Sequence, residues 1–131
     1  MEKLDRVGQI QFRMDSELRI LMEKYIIDNE LEREGILLHN LIKKIVLEWL
    51  DNPILDEGLI FWQSKVWSRD RGSIRGNLTI SDDDWIRLNR IYVIHYIRKI
   101  STINTLVYNI IDQWSYNNIP EYRKVRRIEE N

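Results

Sequence analysis

Six polar side chains stand out by type and spacing. Gln9, Gln11 and Arg13 alternate with Ile10, Phe12 and Met14. Arg75, Asn77 and Thr79 alternate in the same way with Gly76, Leu78 and Ile80. A period of two places each polar trio on one face of a strand and its apolar neighbours on the other. Amide and hydroxyl groups donate and accept hydrogen bonds and a guanidinium donates them, so two such strands side by side would present one polar face. The bland alternative is a solvated face that only keeps the strands soluble.

Other chemistry finds little support. His39 and His95 are far apart, and the chain has no cysteine. A zinc site needs more ligands at usable spacing, so no metal is expected. Disulfides and thiolate sites are excluded, and the redox compartment is unconstrained. Asp82, Asp83 and Asp84 could suggest a Mg²⁺ site, but a helix N-terminus explains three acids in a row more simply. No nucleophile–base pairing, phosphate loop or paired-carboxylate motif is visible. Neither an enzyme nor a cofactor is expected.

Bulk properties bound the rest. A chain of 131 residues is one compact domain by default, and 44% hydrophobic residues suffice for a core. Only two prolines and five glycines favour long regular elements. Alanine is absent while isoleucine and asparagine abound, as in an AT-rich virus, plasmid or other mobile element. The net charge of −1 is unlike that of a non-specific nucleic-acid binder. Locally the charge is uneven. Lys65, Arg69, Arg71 and Arg75 outweigh Asp70, and Arg123, Lys124, Arg126 and Arg127 outweigh Glu121. Asp28, Glu30, Glu32 and Glu34 outweigh Arg33. There is no apolar signal core and no run long enough to span a bilayer. The expectation is a cytoplasmic protein, in the host cytoplasm if viral, with no membrane partner.

The elements that must position the six residues follow in order. After strand 7–14, Asp15 fits an N-cap. Leu18, Leu21, Met22, Tyr25 and Ile26 then give a helical stripe ending near Asn29. Gly35 marks a turn after the charged residues 30–34, although a fused helix is the alternative. Leu38, Leu41, Ile42, Ile45, Val46 and Trp49 form a second stripe, stopped at Asp51-Asn52-Pro53. In the connector, Leu55, Leu59, Trp62 and Val66 share a helical phase. The alternative is an irregular strap in which Phe61, Trp62 and Trp67 cover core. Strand 74–80 follows, where Gly76 permits close packing or a bulge. Ser81 with Asp84 resembles a capping box. Trp85, Leu88, Tyr92 and Tyr96 make one helical face, and Ile91, Ile94 and Ile97 widen it, as if buried on more than one side. Thr102 caps a last helix striped by Leu106, Val107, Ile110, Ile111 and Trp114, and Asn117-Asn118-Ile119-Pro120 ends it. The tail beyond is charged and expected to be mobile.

The two halves repeat each other. Phe12-Arg13-Met14 aligns with Leu78-Thr79-Ile80 at an offset of 66. Leu18, Leu21 and Tyr25 align with Trp85, Leu88 and Tyr92 at 67, and Ile42, Ile45, Val46 and Trp49 with Val107, Ile110, Ile111 and Trp114 at 65. One strand–helix–helix unit cannot bury its apolar faces, but two can if their strands pair antiparallel above interlocked helices. The expected fold is mostly α with one two-stranded antiparallel ribbon, a tandem pseudo-dimer in one domain. Its parts are a first repeat at 1–52, a connector at 53–73, a second repeat at 74–118 and a tail at 119–131.

This pattern resembles the ribbon-helix-helix (MetJ/Arc) family of DNA-binding proteins, in a tandem single-chain version. The Gln-x-Gln-x-Arg strand running directly into a capped helix carries most of the resemblance, which covers 7–50 and 74–117. The resemblance implies a ribbon in the major groove of double-stranded DNA, with Gln9, Gln11, Arg13, Arg75, Asn77 and Thr79 contacting bases. It also implies a phosphate clamp at the N-terminus of each second helix, at Leu37 and Leu38 and at Thr102 and Ile103. Lys3, Arg6, Arg69 and Arg71 would add backbone contacts. The acidic residues 28–34 and 82–84 depart from this pattern, since they would repel phosphate. The first expectation is a transcriptional regulator, such as a repressor, whose pseudo-dimers could associate further on DNA. The alternatives are an accessory protein of conjugation or partition, and an adaptor or antitoxin that does not bind DNA.

Overall fold

The structure is a computed structural model, and it describes residues 7–53, 73–98 and 102–124. The described residues are mostly helical with one two-stranded antiparallel sheet. Strand β1 (Val7–Asp15) leads into helix α1 (Ser16–Asp28), a short 3₁₀ turn (Leu31–Glu34) and helix α2 (Leu38–Asp51). Strand β2 (Ser73–Ser81) leads into helix α3 (Asp82–Ile91), a π-helical segment (Tyr92–Tyr96) and helix α4 (Ile103–Asn118). The expected helix or strap in the connector lies outside the described residues, apart from Pro53 and Ser73 at its ends.

The helix boundaries follow from local chemistry. The first turn of a helix leaves backbone N–H groups without partners, and a short polar side chain just before it can accept from one of them. The Asp15 carboxylate accepts from Glu17 N at 2.9 Å, the Ser81 hydroxyl from Asp84 N at 3.1 Å and the Thr102 hydroxyl from Thr105 N at 3.1 Å. Asn29 closes α1, its backbone N–H bonding to Tyr25 O. Gly35 takes φ +78° after the 3₁₀ turn, a conformation that favours glycine, so α1 and α2 are separate helices.

The strands pair over nine positions, from Val7 opposite Ser81 to Asp15 opposite Ser73. One face is sealed: Ile10, Phe12, Met14, Leu78 and Ile80 are all buried against the helices. The second helix of each half lies against the strand of the other, α4 against β1 and α2 against β2, and α2 also packs on α4. Gly76 stands directly opposite Phe12. A Cβ at Gly76 would sit 2.5 Å from the tip of the Phe12 ring, so the missing side chain is the space the ring fills. Register runs through this point unbroken, so Gly76 serves close packing and not a bulge.

Two expectations need correction. The helix after β2 is not buried on several sides. The π-helical segment keeps Tyr92 and Tyr96 in the core and turns Val93 and Ile94 outward, with Ile94 70% exposed, and Ile97 just after it is exposed too. Apolar type alone did not reveal that the helix widens here and changes which residues share a face. The tail is also not mobile from its start. Residues 120–124 form a helical turn, and Ile119 and Tyr122 are buried. Extended Ile119 starts the turn, its carbonyl accepting from Tyr122 N at 3.0 Å, and burial of the two side chains outweighs the charges around them. The Tyr122 hydroxyl donates to the buried Asp112 carboxylate, and Lys24 bridges to Glu121 at 2.9 Å. Arg123 donates to Tyr116 O and Asn117 O at the end of α4.

Gly76→Val should lower stability by about 1–3 kcal/mol, because the new side chain must displace the buried Phe12 ring. The check is a shift in the urea midpoint at constant slope. Tyr122 gives a second expectation. Burial, and then the negative charge of Asp112, push its phenol far above the ordinary value of 10.0. The folded state therefore keeps a proton that the unfolded chain loses near pH 10, so this contribution is complete below pH 10 and declines as pH rises further. Tyr122→Phe removes one hydrogen bond from the buried Asp112 carboxylate and should cost about 1–3 kcal/mol at neutral pH. Its urea midpoints should also fall less steeply above pH 10 than those of the wild type.

Candidate functional site

The face of the ribbon opposite the core is built from alternate residues of β1 and β2. Gln9, Gln11, Arg13, Arg75, Asn77 and Thr79 are all exposed. They stand as three directly opposed pairs, Gln9 with Thr79, Gln11 with Asn77 and Arg13 with Arg75. All six base-contact candidates from the sequence therefore lie together on one surface. Cross-strand neighbours have Cβ atoms about 4.5–5.5 Å apart, so each pair offers two sets of hydrogen-bonding groups to one small region of a ligand.

The pairing has an electrostatic cost. Arg13 and Arg75 are like charges set directly opposite each other, an arrangement that weakens a sheet. The neighbouring acid, Asp15, is buried and caps α1. At the other end of the ribbon β2 passes straight into Asp82 and Asp83, both exposed, and Asp84, which bonds Arg87 at 3.1 Å.

The remaining candidates are more scattered. Leu37 is the exposed residue before α2, and its own N–H donates to Asn40 Oδ1 at 2.9 Å. Leu38, half-buried, opens the helix. No side chain of Leu37 caps this turn, whereas exposed Thr102 caps the turn that half-buried Ile103 begins. Glu30, Glu32 and Glu34 are exposed just before α2. Lys3, Arg6, Arg69 and Arg71 lie outside the described residues. His39 and His95 are exposed, and among the described residues no group of three or more His, Asp or Glu side chains could hold a metal ion. No helix among the described residues is long and apolar enough to cross a membrane.

One polar group escaped the sequence reading. Asn109, Asp112 and Ser115 are fully buried on α4, beside the apolar stripe. Asp112 bonds Tyr122, but neither amide atom of Asn109 has a partner among the described residues. The available signal was their three-residue spacing, which puts them on one helical face. No family model, curated protein or solved structure matches the chain.

If the Arg13–Arg75 pair strains the ribbon, Arg75→Thr should raise stability by about 0.2–1 kcal/mol. The gain should shrink between 0.05 and 1 M salt as the repulsion is screened, to about the limit set by a Debye length near 3 Å. Thermal melts at the two salt concentrations check both statements.

Proposed function

We propose that this protein is a sequence-specific binder of double-stranded DNA, a tandem ribbon-helix-helix pseudo-dimer that inserts β1 and β2 into the major groove. The observation that carries this reading is the pairing of six exposed recognition side chains above a fully buried apolar face. A solvated edge would not need two arginines directly opposed. A major groove gives that arrangement a purpose. It admits a two-stranded ribbon, and each base pair there shows a distinct pattern of donors and acceptors. Arg13 and Arg75 suit guanine O6 and N7. Gln9, Gln11 and Asn77 suit adenine, and Thr79 suits a polar edge or the thymine methyl.

The helices serve this face in two ways. They bury the ribbon's inner side, which two strands alone could not do. Their N-termini also offer backbone N–H groups to phosphates, through Leu38 in α2 and Ile103 in α4. The role that fits best is a transcriptional regulator acting where DNA is accessible in the cytoplasm. An accessory role in conjugation or partition uses the same surface.

A second reading, a protein adaptor, is favoured by the exposed Val93, Ile94 and Ile97 and by the acidic residues before α2. One experiment separates the two. Arg13→Ala with Arg75→Ala should abolish the gel shift of a duplex recovered from a random pool, at a loss of about 1–3 kcal/mol per arginine. The circular dichroism spectrum should stay unchanged. A pool from which the wild type retains nothing, or a double mutant that binds as well as the wild type, would leave the adaptor as the better account.

A further inference from the structure

The ribbon's backbone and its chemistry have different symmetry. Asn77 is both the cross-strand partner of Gln11 and its counterpart at the 66-residue offset between the halves. A pseudo-twofold axis relating the halves must therefore pass through the Gln11–Asn77 pair. Rotation about it carries Gln9 onto the position of Arg75, and Thr79 onto the position of Arg13. The Gln9–Thr79 pair thus maps onto the Arg13–Arg75 pair. Equivalent backbone positions hold two guanidinium groups at one end, and an amide and a hydroxyl at the other.

What flanks the ends strengthens the contrast. Beyond Gln9–Thr79 the chain turns at Ser81 into exposed Asp82 and Asp83. Beyond Arg13–Arg75 it turns at buried Asp15 into Ser16 and exposed Glu17. One end has two cations on its recognition face. The other has none among the described residues and leads into an acidic turn.

We infer that the ribbon reads a non-palindromic DNA site and lies on it in one direction, with guanines beneath Arg13 and Arg75 and none required beneath Gln9 and Thr79. The inference rests on the DNA-binding reading above and goes beyond it by naming the order of the site. The two outer pairs are four residues apart along each strand, about 13 Å at roughly 3.3 Å per residue. Base pairs rise about 3.4 Å each, so the guanine-reading end and the other end are about four base pairs apart. The central pair, two amides, suits adenine on either strand.

Direction comes from bases alone, because the phosphate backbone looks alike from both ends of a duplex. Reversing the protein would put Gln9 and Thr79 over the guanines and the arginines over bases that cannot accept bidentately. Asp82 and Asp83 act differently. They repel phosphate in either direction, which lowers the sequence-independent share of binding and leaves more of the total to base contacts.

The natural absence of cysteine makes the test direct. Asp83→Cys puts one thiol at the acidic end, and Glu17→Cys puts one at the arginine end. Iron–EDTA tethered to each thiol should cut a duplex recovered from a random pool on one flank only. Asp83→Cys should cut the flank away from the guanines, and Glu17→Cys the flank beside them. Replacing the guanines by adenines should weaken wild-type binding about tenfold or more per base. A palindromic recovered site, or equal cutting of both flanks by each variant, overturns the inference while leaving DNA binding standing. Recovery of no DNA overturns the inference and the DNA-binding reading together.

Discussion

A two-stranded ribbon has one face to hide and one to show, and the contact of Phe12 with Gly76 holds the two apart. The Phe12 ring occupies the place of the missing side chain, so the strands meet in a single register. A slip of one residue by either strand would turn that strand's three polar side chains toward the core and its apolar ones toward solvent. Helix packing depends on the same register, because α2 and α4 each rest on the strand from the other half. The core beneath the ribbon and the surface above it are thus two results of one pairing.

The surface sets two like charges side by side. Arg13 stands opposite Arg75, and the nearby Asp15 caps α1. The helix ends differ from one another. Three of the helices begin at a side chain that accepts from their first turn, while α2 begins at Leu37, which offers none. That turn sits beside three exposed glutamates, so any anion approaching it meets opposing fields.

The far side of the molecule is tied by polar contacts inside the core. Asp112 and Tyr122 bond each other where neither could remain solvated, and Lys24 reaches Glu121 across the surface. The Tyr25 and Trp114 rings meet edge to face at 5.1 Å, joining α1 to α4. The surface ion pair is exposed and adds little, whereas loss of either buried partner removes a hydrogen bond that water cannot replace. The turn 120–124 is held chiefly by its buried tyrosine.

The sequence by itself determined the elements and their ends. Alternation in 9–14 and 75–80 marked the strands, and Asp15, Ser81 and Thr102 marked three helix starts. Gly35 and Pro53 marked stops, because each acts on its own few bonds. It also determined which strand residues face inward, since a period of two leaves no choice once one face is apolar. Tertiary structure alone decided that Phe12 lies over Gly76, that Arg13 meets Arg75, that the π-helical segment turns Ile94 to solvent, and that Tyr122 folds back onto Asp112. These outcomes depend on residues distant in the chain competing for the same space, and burial there is worth more than any preference of the segment itself. Local bonds are legible in a sequence because both partners sit side by side in it, and packing is not, because its partners meet only after the chain has folded.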